Sequence, residues 1–245
     1  MDQLKEALDH NRNIMSEINK KIIKADDLIS HSKLKEIANE TEGFQVNCSA
    51  EDQDLPSNCL GFENGEGIRQ IKVPGAKKFY VMCDSKTAGP GWTVVLRNLG
   101  NENFNRNWTS YKNGFGSMDS SFFVGLSRLH LMTQSQPHEL FIAIYFKHPL
   151  HSQFTNSFDN FIVGGASQGY RLESIGNPTS SHFPFIQSQV KAKFTTFDSN
   201  NAGTKINYAR GTAGWWFTAG NKQSLTQWQI GYEKTLMLIR PKMYL

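Results

Sequence analysis

The chain has 245 residues, 38% hydrophobic and 20% charged, a length that suits one large domain plus an appendage. Its 17 Phe, 5 Trp and 7 Tyr exclude a disordered or low-complexity chain. No apolar run reaches the about 18 residues of a membrane span, and a net charge of +4 without a basic run argues against a nucleic-acid partner.

The composition breaks at Gly43. Residues 1–43 contain no Phe, Trp, Tyr, Cys or Pro. They carry 7 Lys/Arg against 9 Asp/Glu, whereas the rest carries 19 against 13. Within the first segment, Leu4, Leu8, Asn11, Met15, Ile18, Ile22, Ala25 and Ile29 alternate at spacings of four and three. That is a coiled-coil seam, and a helix otherwise this polar needs a partner helix to bury it. Residues 1–43 are therefore expected to form a homo-oligomerisation helix, with Asn11 in the seam fixing register. A lone amphipathic helix packed on its own globe is the alternative. Met1-Asp2-Gln3 is polar and no apolar leader core follows, so no secretory signal is visible.

From Phe44 the pattern changes to short apolar runs between Gly, Asn and Ser turns. Ile68–Val73, a Pro74-Gly75 turn and Lys78–Met82 read as a hairpin. Trp92–Leu96 reads as a strand entered through Gly89-Pro90-Gly91, and Leu140–Phe146, almost continuously apolar, as a central strand. Ser120–Leu129 reads as a short helix. The mix predicts an α+β fold with a twisted sheet and long loops over residues 44–245.

Cys48, Cys59 and Cys83 are an odd set, which suggests one bridge and one leftover thiol, or three reduced thiols in a cytosolic protein. Cys48, just past the break, is placed to cross-link chains. Sequons at Asn39, Asn47 and Asn107 lend weak support to export. Gly165-Ala166-Ser167-Gln168-Gly169 matches a nucleophile elbow, but the alternating Tyr170–Glu173 behind it predicts a hairpin turn instead of the required helix. His148 and His151 lack a third metal ligand nearby, and Pro149 between them opposes a helical face.

Several ordered motifs resemble the fibrinogen C-terminal globe. They are Cys83-Asp84, Gly91–Arg97, Phe104–Trp108, Tyr111–Gly116, Phe123–Leu126, Phe194–Asp198, Gly214–Phe217 and Met237–Pro241. Spread over residues 59–245, they are specific as a set, and the chain is similar to the ficolin- and tachylectin-like insect members and to angiopoietin-like ones. The resemblance implies the fold of that globe, a pairing of Cys59 with Cys83, secretion, and recognition without catalysis.

It also implies departures. The family's D-x-D-N-D calcium loop reads Asp198-Ser199-Asn200-Asn201-Ala202 here. Asn200 and Ala202 stand where the two ligating carboxylates belong, so loss of the calcium cofactor is expected. In the acetyl-binding pocket, Tyr208 and Gly220 replace a disulfide pair and Asn221 replaces a histidine. Tyr208, Ala209, Trp215, Trp216, Phe217 and Asn221 are the candidate ligand-binding residues, the aromatics serving as a stacking surface for sugar rings or a protein; the alternatives are a degenerate pocket that binds little, and Trp92, Trp108, Trp215 and Trp216 as core and loop-anchoring aromatics. The resulting expectation is an extracellular, secreted, oligomeric protein that binds glycans or acetylated surface groups in innate defence. The alternative is a calcium-independent ligand of a cell-surface receptor.

Overall fold

A computed structural model of the chain describes residues 55–62, 65–147, 152–227 and 229–242. The expected coiled coil over 1–43, Cys48, His148 and His151 lie outside the described residues.

The described chain is built on one antiparallel sheet. In chain order its elements are β1 (Gly67–Ile71), β2 (Phe79–Asp84), β3 (Trp92–Asn98), α1 (Trp108–Asn113), β4 (Phe115–Gly116), β5 (Phe122–Phe123), α2 (Leu126–Ser135), β6 (His138–Phe146), β7 (Gln153–Phe158), β8 (Ile162–Val163), β9 (Leu172–Ser174), α3 (Pro184–Gln187) and β10 (Tyr232–Pro241). The main path runs β1-β2-β3-β10-β6-β7, with β5 paired to β3 and β4 paired to β5. A separate pair joins β8 to β9.

Alternation decides which way each strand faces. In β10, Met237 and Ile239 enter the larger core while Leu236 and Leu238 enter a smaller one on the opposite face. In β6, Leu140, Ile142 and Ile144 take the first side and Ala143 the second. A strand covered on both faces must be apolar throughout, which is why Leu140–Phe146 reads as an unbroken run. It lies inside the sheet between β10 and β7, as its sequence predicts.

The Cys59–Cys83 bridge is present, its Cα atoms 5.6 Å apart. It pins a short 3-10 turn (Cys59–Gly61) to the end of β2. The helix expected over Ser120–Leu129 lies further on. Phe122 and Phe123 instead add a short strand beside Arg97 and Leu96. Gly125, at φ +98°, breaks the chain direction before the helix can begin. A side chain there would also meet the Asn113 backbone at 2.7 Å, so glycine is required.

The elbow-like segment is a turn between two strands. Ala166–Gln168 forms one 3-10 turn, and β8 and β9 pair antiparallel across it. The strand-to-helix geometry that would present Ser167 as a nucleophile is therefore absent. Among the described residues, no helix is long and apolar enough to cross a membrane.

Candidate recognition site

Residues 194–221 carry the candidate site, and a buried tyrosine anchors them. Tyr111, fully buried on α1, donates its hydroxyl to the Phe104 carbonyl at 2.7 Å and accepts the Gly214 N–H at 3.0 Å. Its ring packs against Phe115, Phe123 and Phe194. Gly214 must be glycine here, because a β-carbon would lie 2.6 Å from the Tyr111 ring.

From that anchor the chain runs straight into the core. Trp215, Trp216 and Phe217 are each 1% exposed. A buried indole N–H needs an acceptor. Trp215 donates to the Gln189 side-chain oxygen and Trp216 to the Tyr170 carbonyl, both at 2.7 Å. The rings of Trp215 and Trp216 meet edge to face with centroids 5.0 Å apart. The stacking surface expected of these three residues is thus not on the outside of the globe. Their faces and their polar atoms are already used by the fold. Ala209 is likewise fully buried.

The loop in the calcium position is held by its own amides and hydroxyls. Asp198 accepts the Thr196 hydroxyl at 2.7 Å and the Trp108 N–H at 2.9 Å. With Asn107, whose side chain accepts the Ser110 N–H, it caps the start of α1. Asn200 donates its amide to the Thr204 carbonyl at 2.9 Å. The Thr204 hydroxyl then donates to the Ile206 carbonyl at 2.6 Å. Asn201 donates to the Phe194 carbonyl and the Ser199 hydroxyl.

Calcium wants six to eight oxygens, several of them charged. Here the loop's one carboxylate is spent on a helix cap, an amide N–H points at the Thr204 carbonyl, and Ala202 offers no side-chain oxygen. Among the described residues, no group of three or more His, Cys, Asp or Glu could hold a metal ion. The donor set does not fit the cation.

The disulfide position has a different substitute. The Tyr208 hydroxyl donates to the Ala219 carbonyl at 3.3 Å, and its ring meets Phe217 edge-on at 6.1 Å. Tyr208 therefore ties the turn bearing it to the residue before Gly220, the other half of the replaced pair. The space Gly220 leaves is open. Asn221 donates to the Phe185 carbonyl at 3.0 Å and the Ser188 hydroxyl at 2.8 Å, and accepts the Gln223 N–H at 2.9 Å. It fastens α3 to this segment and keeps no donor for a ligand.

The structure thus brings Tyr208, Phe217 and Asn221 into one region but turns most of their polar atoms inward. Gln189 and Thr204, which complete these links, carry no signal in the sequence. A glutamine or threonine in a polar loop reads as solvated until its partner is seen.

Comparison with known proteins agrees with this architecture. The family model described as fibrinogen beta and gamma chains, C-terminal globular domain, matches residues 58–236. Fibrinogen-like protein 1 of Bos taurus is 33% identical over 175 residues, covering 64% of this chain and 54% of its own. Ryncolin-4 of Cerberus rynchops is 31% identical over 183 residues, covering 71% and 52%. The chain therefore spans about half the length of these two relatives. The fibrinogen-like globe domain of human ANGPTL2 superposes with a TM-score of 0.71 at 24% identity, over 76% of this chain and 99% of that one.

Proposed function

Because the chain belongs to the fibrinogen C-terminal globe family, we propose that it is a secreted, non-enzymatic recognition protein whose globe works without calcium. Its copies gather through residues 1–43, and each globe binds glycans weakly. Linking several weak sites raises the overall affinity by avidity. The observation that carries the calcium-independent reading is the internal tie from Asn200 to Thr204. It holds the loop where the family pattern places a cation, and the Tyr208–Ala219 contact does the same where that pattern places a disulfide.

A second reading, a ligand for a cell-surface receptor, is favoured by the burial of Trp215, Trp216 and Phe217, which removes the expected sugar-stacking platform. One experiment separates the two. The full-length product is expressed in secreting cells, sized with and without reductant, and applied to a glycan array with calcium or with chelator. Glycan binding by an oligomer, unchanged by chelator, supports the proposal. Binding lost in chelator overturns calcium independence. A monomer that binds no glycan overturns the glycan-avidity reading and leaves the receptor reading standing.

A further inference from the structure

We infer that a cleft beside the former cation loop, which shares only Phe217 with the pocket indicated by the sequence, binds the acidic group of a saccharide through Lys193. The inference rests on the glycan reading above and names where and how that ligand is held. The cleft has a volume of 380 Å³ and lies between residues 190–193, 201–203 and 217–219. That is large enough for a small ligand, for which sites usually begin at about 300 Å³. Half-buried Val190 and Ala192 give it a small apolar wall, while Lys191, Lys193, Asn201 and Thr218 give it polar atoms. None of its lining residues is acidic.

The charges on this rim are unequal in availability. Lys191 places its ammonium 2.8 Å from the Glu173 carbonyl and 3.0 Å from the Glu173 carboxylate. Arg171 holds the other oxygen of that carboxylate at 2.7 Å. Two cations thus share one acid, and the cluster keeps a net positive charge. Lys191 holds this position on a left-handed backbone, φ +72°, a conformation that a non-glycine residue keeps only when its surroundings enforce it.

Lys193 is different: among the described residues its ammonium has no hydrogen bond and no ion pair. Its aliphatic stem is nonetheless placed, because it lies over Gly169, where a β-carbon would come within 3.3 Å of it. The result is a located stem with an uncommitted charge.

The loss of the cation loop's acids makes this rim positive. Asn200 and Ala202 stand where that loop would carry carboxylates, and the remaining acid, Asp198, does not line the cleft and holds the Thr196 hydroxyl and the Trp108 N–H instead. Asn201 commits its N–H groups to Phe194 and Ser199, leaving its carbonyl oxygen as an acceptor. One uncommitted cation on a placed stem, one amide acceptor, the Thr218 hydroxyl and an apolar wall match a pyranose that carries a carboxylate or sulfate. The wall takes the C–H face of the ring, the polar atoms take its hydroxyls, and Lys193 takes its charge.

The test is a glycan array of matched neutral and acidic oligosaccharides, differing only in a carboxylate or a sulfate, probed with the full-length oligomer. Three forms are compared: wild type, Lys193→Met and Lys193→Arg. Methionine keeps an unbranched stem over Gly169 and removes only the charge, and a circular-dichroism spectrum checks the fold. Wild type is expected to prefer acidic ligands by about tenfold, the size of one charge-assisted hydrogen bond. Lys193→Met should erase that preference and Lys193→Arg should retain it.

Equal binding to neutral and acidic members, unmoved by Lys193→Met, overturns this inference and leaves the glycan reading intact. An acidic preference that vanishes in salt but survives Lys193→Met also overturns it, since the attraction would then be general. No binding to any glycan overturns both.

Discussion

Replacing Tyr111 with phenylalanine tests how the recognition segment is fixed to the globe. The substitution keeps the ring contacts with Phe115, Phe123 and Phe194 and removes one oxygen. That oxygen makes two hydrogen bonds, but they are not equivalent. The Phe104 carbonyl also accepts the Arg106 N–H at 2.9 Å, so it keeps a partner. The Gly214 N–H, in contrast, is left pointing at a phenyl edge in the core. An orphaned buried donor costs about 1–3 kcal/mol and the lost bond to Phe104 about 1 kcal/mol more, which gives about 3 kcal/mol for Tyr111→Phe. For a domain of about 190 residues that is a fall of about 6–12 °C in Tm.

Urea and thermal unfolding, followed by tryptophan fluorescence, would measure it. The denaturant slope should stay unchanged, because the surface exposed on unfolding is the same. The pH dependence gives a second check. Burial pushes the Tyr111 phenol far above the usual tyrosine range, so the folded state prefers the protonated form. Its contribution is complete below about pH 10 and declines as the unfolded phenol ionises above that. The gap between wild type and Tyr111→Phe should therefore narrow above about pH 10. A variant within about 0.5 kcal/mol of wild type, or a gap that widens in alkali, would refute the reasoning.

Three further outcomes follow from the same geometry. Calcium and chelator should leave the wild-type Tm unchanged, whereas the double variant Asn200→Asp, Ala202→Asp should gain about 2.7 kcal/mol at a calcium concentration 100 times its Kd, read by calorimetry. Removing the Cys59–Cys83 bridge by Cys59→Ser with Cys83→Ser closes no loop across a separation of 24 residues and should cost about 3.5 kcal/mol in denaturant unfolding. His138 is buried with Nδ1 2.8 Å from the Gln136 carbonyl, and burial lowers its pKa. Stability should accordingly hold above about pH 6.5 and fall below it as the unfolded imidazole protonates first. His138→Gln should flatten that acidic decline, as seen in Tm against pH.

The sheet was legible because its signals are local and strong. The Ile68–Met82 hairpin is marked by a Pro-Gly turn, and β6 by an apolar run that only a doubly covered strand tolerates. The helix over Ser120–Leu129 was misplaced for an equally physical reason. Phe122 and Phe123 suit either state, and the choice fell to β3, whose Leu96 and Arg97 offer them backbone partners. The aromatics Trp215–Phe217 suit a core as well as a stacking surface, and the structure places all three in the core. A run of large rings beside a loop has the same composition whether it faces a ligand or the core. Only the acceptors waiting for the indole N–H groups, Gln189 and the Tyr170 carbonyl, decide the matter.

The replaced positions extend this point. Read in sequence, Asn200, Ala202, Tyr208, Gly220 and Asn221 are subtractions: two carboxylates, two sulfurs and an imidazole are missing. In the structure three of the five make new bonds. Asn200 reaches Thr204, Tyr208 reaches Ala219, and Asn221 joins Phe185 and Ser188. Each is a hydrogen bond where the pattern expects an ion, a covalent bond or a ligand-facing ring. A partly exposed neutral bond contributes about 1 kcal/mol or less, well below a bridge. A loop held by several such ties should therefore open locally more readily than the sheet beneath it. Amide exchange across residues 198–209, compared with β10, would show that difference directly. Equal protection in the two would mean that these ties are as strong as the links they replace.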